Sequence, residues 1–303
     1  MKEITDYGKV FETLIEKTEE YVLGNNLHAM VLGISGGIDS TVVAAICHEV
    51  SERTNIPLIG RSLPSKYNKE GETTTADLVG KAFCDDYKVC PIQEIYEDFI
   101  LHIRNCEMPL GIWSGSDHQT PVANGNIQAR LRMIYLYNLA SIHGGLVMDT
   151  DNLTENNLGY FTIHGDVGDF NPIGGLWKTE VFELAEWIMN WYGSYTHTYF
   201  YTDSPEMIEY KQGNLYKARA IKESLKLKPT AGLGITNNDL EEIGAESYEQ
   251  VDRILQCLTD DSISTDTIDD IPDAILEAVV KRHNASKFKR KQLPIKITRD
   301  EIL

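Results

Sequence analysis

The hydrophobic and polar positions of the chain follow two alternating patterns. Apolar residues either recur at helical spacing or form short continuous runs that are typical of buried strands. Helices are predicted over residues 5–23, 69–83, 124–142 and 178–191 and directly after Gly37, and strands over 28–34, 56–63, 87–92 and 145–148. Because the two patterns alternate, they predict an α/β fold, a doubly wound parallel sheet with helices on both faces.

The last third of the chain has a less regular pattern. Residues 191–201 are aromatic and polar with little period, which predicts a surface insertion. From Pro205 on, helical pieces are interrupted at 229–232 and at 260–270. We therefore expect one domain over residues 1–303, with an N-terminal lead-in helix, a core at about 24–192, and a helical insertion and C-terminal helical extension at about 193–303.

The first predicted strand leads through Ser35-Gly-Gly-Ile-Asp-Ser40 directly into a helix. The start of a helix has unpartnered N–H groups and the positive end of the helix dipole, so a glycine turn there suits phosphate. A Walker A loop would place a lysine after the glycines, but Asp39 stands there instead. An acid beside bound phosphate requires a divalent cation between the two, which makes Asp39 a candidate Mg²⁺ ligand.

Composition and charge narrow the class of protein. The 303 residues are 42% hydrophobic and carry a formal net charge of −18, which disfavours a general nucleic-acid binder. The basic run 287–291 fits a solvated tail, a nucleic-acid patch or a clamp for one anionic ligand, and taken alone the tail is favoured. No apolar run approaches the roughly 18 to 20 residues of a membrane span, so we expect a cytoplasmic protein without a membrane partner.

The loop at residues 35–40 resembles the pyrophosphate loop of the ATP pyrophosphatases, which split ATP into AMP and pyrophosphate. Further segments, in order, resemble the ammonia-dependent NAD synthetases: Leu63-Pro-Ser-Lys66, Asn126-Ile-Gln-Ala-Arg-Leu-Arg-Met133, residues 150–155, Asn157-Leu-Gly-Tyr-Phe-Thr162, Gly165-Asp166, Asn171-Pro-Ile-Gly174, Lys178-Thr179, Lys228-Pro-Thr-Ala-Gly-Leu233 and Lys289-Arg290. The resemblance implies an adenine nucleotide alpha hydrolase-like fold and an acid–ammonia ligase. Such an enzyme amidates deamido-NAD (nicotinate adenine dinucleotide) through an adenylated carboxylate.

The resemblance assigns roles residue by residue. ATP, the co-substrate, would contact Gly33, Ile34, Ser35, Gly36, Gly37, Ile38, Asp39, Ser40, Thr150, Lys178 and Thr230. Mg²⁺ would be bound by Asp39 and Glu155, and deamido-NAD by Arg130, Asp169 and Lys289. No side-chain nucleophile is needed, because catalysis is mainly positioning and charge neutralisation. The family acts as a homodimer, and ammonia would come from solution or from a partner.

Each assignment has a structural alternative. The alternative for Asp39 and Glu155 is that each carboxylate stabilises the start of a helix through the helix dipole and binds no metal. Both residues follow predicted strand ends, however, where metal ligands of this fold are expected. For Arg130, a surface cation without a ligand is about as good an interpretation as a substrate contact. Lys178 at a helix start opposes the helix dipole, which indicates an anionic ligand. Thr230 follows a proline and fits a turn or cap residue, so its role rests on the resemblance.

Three positions depart from the family pattern and keep other functions open. Asp149 replaces a usual glycine where backbone approaches the nucleotide, Ile163 replaces a usual lysine, and Phe288 replaces a usual histidine. The lost cation at Ile163 leaves open an amidase that acts on nicotinate mononucleotide. The side chain at Asp149 leaves open a catalytically silent nucleotide-binding module, which the presence of Asp39 and Glu155 disfavours.

Overall fold

A computed structural model describes residues 4–68, 70–107, 119–194, 204–227, 239–260, 262–292 and 295–302. Four strands in these ranges form a sheet: β1 (Met30–Gly33), β2 (Leu58–Ser62), β3 (Asp86–Val89) and β4 (Leu146–Val147). Their order is β3-β2-β1-β4, and every pairing is parallel. The predicted parallel sheet is thus confirmed.

The strand β1 lies between β2 and β4, where the strand order reverses. Met30 and Leu32 point into one hydrophobic core, and Ala29 and Val31 point into the other. This alternation buries both faces of the strand, as a parallel sheet covered by helices requires. Ligands of open α/β sheets bind beyond the carboxyl ends of the strands at such a reversal, so the site is expected beyond Gly33.

Helices cover both faces of the sheet, as predicted. They are α1 (Tyr7–Gly24), α2 (Ile38–Thr54), α3 (Glu70–Phe83), α4 (Gln93–Glu107), α5 (Gln119–His143), α6 (Leu153–Leu158), α7 (Lys178–Ser194), α8 (Pro205–Leu225), α9 (Asp239–Ile243), α10 (Tyr248–Thr259), α11 (Asp273–Ala285) and α12 (Arg299–Ile302). The core on one face contains residues of α1, α2, α3, α7 and α8, and α5 packs on the other. None of the helices in the described ranges is long and apolar enough to cross a membrane.

Two of these helices lie outside the predicted elements. In α4, Tyr96 and Ile100 are buried, but Ile95 and Phe99 are exposed, so apolar residues on both sides hide the helical period. Helix α6 lies in the polar run after β4 and is too short for hydrophobic periodicity to identify it. Its start does carry a capping signal, because Asn152 and Glu155 form a capping box.

The end of α7 corrects the predicted surface insertion. Residues 191–194 form the last turn of this helix. Trp191 stacks on Trp187 with ring centroids 6.2 Å apart, and its ring lies 5.7 Å from that of Phe11. These aromatic residues therefore pack the lead-in helix against α7. Residues 195–201 of the predicted insertion lie outside the described part of the chain.

A third hydrophobic core joins α6 to the C-terminal helices. Leu158 of α6 and Trp177 share it with Ile254 of α10 and Val279 of α11. A short parallel pair, β5 (Phe170–Asn171) and β6 (Ile295–Lys296), also returns the C-terminal segment to the loop after β4. The C-terminal region thus packs against the elements that follow β4, and the domain bounds given above stay a prediction.

Candidate active site

A cavity of about 240 Å³ opens at the carboxyl ends of β1 and β4. Its lining includes Gly33, Ile34, Ser35, Ser62, Leu63, Pro64, Asn68, Ala129, Arg132, Met133, Leu136, Thr150, Gly165 and Asp166. Apolar walls with a few polar groups are typical of small-molecule sites. Of the residues predicted to contact ATP, Gly33, Ile34, Ser35 and Thr150 line this cavity.

The turn between β1 and α2 has the predicted form. Gly36 has a φ of +85°, and a Cβ there would lie 2.5 Å from the carbonyl oxygen of Glu72, so only glycine fits. Gly37 is the N-cap of α2 and supplies no side-chain cap. Ser35 Oγ lies 2.9 Å from Ser40 Oγ and accepts the Gly37 N–H at 3.1 Å. Two hydroxyls therefore stand at the helix start, where an anion is favoured.

Lys178 joins the two predicted metal ligands. Its Nζ lies 2.5 Å from Asp39 Oδ2 and 2.9 Å from Glu155 Oε1. The lysine side chain is 1% exposed, and each carboxylate side chain is 17% exposed. Burial lowers the pKa of Lys178, but the charges of Asp39 and Glu155 outweigh it and hold that pKa well above its ordinary value. The ammonium group is therefore charged where three helix starts meet.

Asn152, the N-cap of α6, connects the same two acids. Its Oδ1 accepts the Glu155 N–H at 3.0 Å, and its own N–H donates to Glu155 Oε2 at 3.2 Å. Its Nδ2 donates to Asp39 Oδ1 at 2.8 Å. Sequence reasoning overlooked this residue, although the Asn-x-x-Glu capping signal was readable.

The arrangement fits a divalent cation that also binds phosphate. Two carboxylates converge on one buried cationic atom, and Mg²⁺ is usually held by one or two carboxylates together with substrate phosphates. Within the described residues, no group of three or more His, Cys, Asp or Glu side chains is placed to hold a metal. A Mg²⁺ ion at Asp39 and Glu155 would therefore take its other oxygen ligands from water or substrate phosphates.

The other predicted ATP contacts lie apart from this ion-pair cluster. Ile38 is buried in the core under α2, so its side chain is not accessible to a ligand. Its backbone N–H remains at the helix start. Thr150 lies on the cavity wall beyond β4. Thr230 lies outside the described residues, and its contact stays a prediction.

Asp149 is placed differently from the sequence-based expectation. The residue is 1% exposed, and its carboxylate is buried inside the protein. Oδ1 accepts the Asp151 N–H at 2.7 Å and Oδ2 accepts the Gly168 N–H at 2.9 Å, while Asn171 Nδ2 donates to Oδ1 at 3.2 Å. The carboxylate thus ties the end of β4 to the loop that contains Gly168.

Two further acids share this buried region. Burial raises the pKa of Asp149 to about 7 and that of Asp166 also to about 7. Burial, reinforced by the charge of Asp149, holds the pKa of Asp151 well above its ordinary value. Asp166 lines the cavity and accepts the Thr162 N–H at 2.5 Å. The cavity is therefore bordered by one carboxyl group, that of Asp166, which holds its proton more readily than usual.

The three residues predicted to contact deamido-NAD are tied to the protein itself. Arg130 is exposed on α5, and its Nε donates to the Ile163 carbonyl oxygen at 3.3 Å. Asp169 accepts the Tyr137 hydroxyl at 3.0 Å and the Val147 N–H at 3.0 Å. Lys289 Nζ donates to the carbonyl oxygens of residues 159 and 161. Among the described residues no hydrogen bond or ion pair joins these three, and their substrate contacts stay a prediction.

Two arginines of the family-like segments received no role from the sequence. Arg132 lines the cavity, and its Nε donates to the Leu63 carbonyl oxygen at 3.0 Å. Arg290 donates to the Asn157 carbonyl oxygen at 2.8 Å. Together with Lys289, it fixes the carbonyl groups at the end of α6. These two members of the basic run are thus bonded to the fold and do not form a solvated tail.

Comparisons with protein families, curated proteins and solved structures agree with the fold and the site described above. Residues 10–293 match the NAD synthase family. An NH(3)-dependent NAD(+) synthetase of Pyrococcus horikoshii is 34% identical over 296 residues, which is 96% of this chain and 95% of that protein. A structure of NMN synthetase from Francisella tularensis is 26% identical with a TM-score of 0.69, covering 95% of this chain and 97% of that one. The NH3-dependent NAD synthetase structure from Campylobacter jejuni is 25% identical with a TM-score of 0.65, covering 96% and 98%. With its parallel sheet, its glycine loop and this match over most of its length, the chain belongs to the NAD synthase family.

Proposed function

We propose that the protein joins ammonia to the nicotinate carboxyl group of deamido-NAD, using ATP and releasing AMP and pyrophosphate. The observation that carries this proposal is the contact of Lys178 with both Asp39 and Glu155 beside the Ser35–Ser40 loop. A cation, two metal-binding carboxylates and a helix start at one point are what a departing pyrophosphate requires. A relative named for this activity, the NH(3)-dependent NAD(+) synthetase of Pyrococcus horikoshii, matches 96% of the chain.

The chemistry places different demands on different residues. The carboxylate of a pyridine acid is a poor electrophile, and transfer of AMP to its oxygen gives ammonia a leaving group to displace. The hydroxyls of Ser35 and Ser40 and the N–H groups at the start of α2 hold the phosphates that depart. Lys178 neutralises part of their charge, and Asp39 with Glu155 binds Mg²⁺. Mg²⁺, when bound there, supplies further positive charge to the phosphate oxygens. No side-chain nucleophile takes part.

The cavity beyond β1 and β4 is proposed to hold the adenosine part of ATP. Ser35 and Thr150 are on its wall, which places it next to the phosphate loop. Met133 and Leu136 supply an apolar surface for a base, and Arg132 and Asp166 supply polar groups. This assignment puts the reacting α-phosphate between the cavity and Lys178.

The acyl substrate is proposed to bind at the interface of a homodimer. Helix α5 exposes a stripe of side chains at helical spacing, which includes Val122 (41% exposed), Arg130 and Ile134 (66% exposed). The neighbouring α4 exposes Ile95 and Phe99. A second copy that covers this apolar surface would also enclose Arg130, the predicted substrate contact.

One assay tests the proposed reaction. Purified protein is incubated with deamido-NAD, ATP, Mg²⁺ and ammonium, and the products are identified by mass. We expect NAD, AMP and pyrophosphate in equal amounts, with none formed when Mg²⁺ is chelated. Absence of AMP from the complete mixture would refute the proposed reaction. Omitting ammonium, or replacing it with glutamine, tests whether free ammonia is the nitrogen donor.

A cytoplasmic location stays a prediction from the sequence.

A second candidate is amidation of nicotinate mononucleotide. Ile163 stands where the family usually has a lysine, and the structural relative from Francisella tularensis is an NMN synthetase. Comparing kcat/KM for the two acids decides between the candidates, and a large preference for deamido-NAD excludes the second. A silent nucleotide-binding module is excluded by Mg²⁺-dependent release of pyrophosphate.

A further inference from the structure

The carboxylate of Asp252 lies where α10 packs under the start of α7. It is 2% exposed, and it accepts hydrogen bonds from the Thr154 hydroxyl and, at 3.0 Å, from the Thr179 N–H. Thr154 is fully buried, and its Oγ1 accepts the Lys178 N–H at 2.8 Å. One side chain from the C-terminal region therefore holds α6 and the first turn of α7 together.

These two helices carry the charged groups of the phosphate site. Glu155 directly follows Thr154 in α6, and Lys178 is the first residue of α7. N–H groups in the first turn have no partner inside their helix, so an acceptor from outside fixes where the helix begins. A shift of either helix start would change the 2.5 Å and 2.9 Å contacts of the Lys178 ammonium.

The burial of Asp252 is costly, which argues against a role in packing alone. Burial raises the pKa of this carboxyl group to about 6. A buried acid is tolerated when strong hydrogen bonds satisfy its oxygens, and an apolar side chain would fill the same space at lower cost. Here both oxygens are used on Thr154 and Thr179, the neighbours in sequence of Glu155 and Lys178.

We propose that Asp252 is a positioning residue of the phosphate site, which acts through Thr154 and Thr179 to set the places of Glu155 and Lys178. From the proposed function, this inference takes only one assumption, which is that the site binds the phosphates of ATP. It does not depend on which acid is amidated.

The test is the affinity for Mg·ATP, measured by calorimetry with the full chain and no second substrate. We expect Asp252→Ala to weaken binding about tenfold, which corresponds to about 1.4 kcal/mol, because the starts of α6 and α7 lose their shared acceptor. Asp252→Asn keeps an oxygen for the Thr179 N–H and should recover part of the affinity. Thr154→Val should weaken binding like Asp252→Ala, whereas Thr154→Ser, which keeps the hydroxyl, should not.

Asp85→Ala is the matched control. Asp85 Oδ2 likewise joins a hydroxyl, that of Ser51 at 2.8 Å, to a backbone N–H, that of Leu58 at 2.7 Å, but at the amino end of the sheet. This variant should lose stability and keep its affinity for Mg·ATP.

The proposal is overturned if folded Asp252→Ala binds Mg·ATP like the wild type, or if the Asp85→Ala control weakens binding equally. Should Asp252→Ala fail to fold, the two Thr154 variants decide, and equal affinities of the Val and Ser variants overturn the proposal. Wild-type protein that binds Mg·ATP but forms no amide refutes the amidation alone. Wild-type protein that does not bind Mg·ATP refutes both.

Discussion

The phosphate side and the acyl side of the site are built differently. On the phosphate side, side chains from α2, α6 and α7 meet at one atom, Lys178 Nζ, which contacts both Asp39 and Glu155. On the acyl side, Arg130, Asp169 and Lys289 each bond to the protein's own backbone. Within the described part of the chain, no hydrogen bond or ion pair joins those three. A single chain therefore assembles the proposed phosphate side, whereas the residues proposed to bind the acyl substrate are not joined to one another.

The difference follows from where each set of residues lies in the fold. Asp39 and Glu155 follow β1 and β4, neighbouring strands whose carboxyl ends meet at the strand-order reversal. Lys178 reaches them because α10 and α6 fix the start of α7. Arg130, by contrast, stands on the exposed stripe of α5, away from the strand ends. The fold thus explains why the residues proposed to bind the ATP phosphates converge and those proposed to bind the acyl substrate do not.

The largest effect is expected for Asp39→Asn. The asparagine can still accept from Asn152 but brings an N–H towards the Lys178 ammonium and removes a metal-binding charge. We expect AMP release to fall on the order of 10³-fold, as for loss of a main charge-stabilising group. The measurement is AMP release at saturating Mg²⁺, with circular dichroism to check the fold.

Asp6→Asn is the control for that variant. Asp6 is also an acid at a helix start, and its carboxylate accepts the Lys9 N–H at 3.0 Å. Asparagine caps helices about as well as aspartate, so this change should leave activity intact. Undiminished activity of Asp39→Asn would mean that Asp39 only favours the start of α2.

Lys178→Met should have the next largest effect. It leaves two carboxylates facing each other without the buried cation between them, which costs roughly 3 kcal/mol of unfolding free energy. We expect kcat/KM for ATP to fall about 100-fold. Mg²⁺ without ATP should restore part of the lost stability, because it replaces the missing positive charge. Chemical denaturation with and without Mg²⁺ measures this.

The control for Lys178 is Lys217→Met in α8. The Lys217 ammonium lies 5.2 Å from the centre of the Tyr192 ring, and burial lowers its pKa. It is a partly buried cation outside the site, so its loss should leave the ATP requirement unchanged. If both variants raise the ATP requirement equally, Lys178 has no special role at the phosphates.

The local parts of this site were predictable, and the distant contacts were not. Gly36, Gly37 and Asp39 could be identified because a strand, a turn and a helix start are consecutive in sequence. The bond from Asn152 to Asp39 spans 113 residues, and the bond from Thr154 to Asp252 spans 98. Such pairs depend on how α6 and α10 pack in the folded protein. The hydrophobic periodicity of the sequence does not show which helices pack against each other. The burial of the Asp149 carboxylate likewise depends on Gly168 and Asn171, which reach it only in the folded chain.

Ile134→Glu tests whether a second copy completes the acyl side. A charge in the exposed stripe of α5 should separate the proposed dimer, which sedimentation equilibrium would detect. We expect KM for deamido-NAD to rise about tenfold while the affinity for Mg·ATP stays the same, because a lost charged contact costs about 1.5 to 3 kcal/mol. Leu23→Glu, at a 49% exposed leucine on α1, is the control and should change neither. A monomeric wild type with full activity would contradict the interface.

The last prediction concerns stability alone and the buried acids after β4. Burial raises the pKa of Asp149 and of Asp166 to about 7, above the value in the unfolded chain. The folded state then keeps protons that the unfolded state releases, so these groups stabilise the fold at low pH, and that contribution is lost as the pH rises to about 7. Asp149→Asn should reduce this loss between pH 5 and 8 by roughly 2 kcal/mol, as measured by urea unfolding.

Glu12→Gln is the control: Arg53 lowers the pKa of Glu12, so its contribution changes only at more acidic pH. An equal slope in wild type and Asp149→Asn would mean that Asp149 is ionised throughout, and that the hydrogen bonds from Gly168 and Asp151 outweigh its burial.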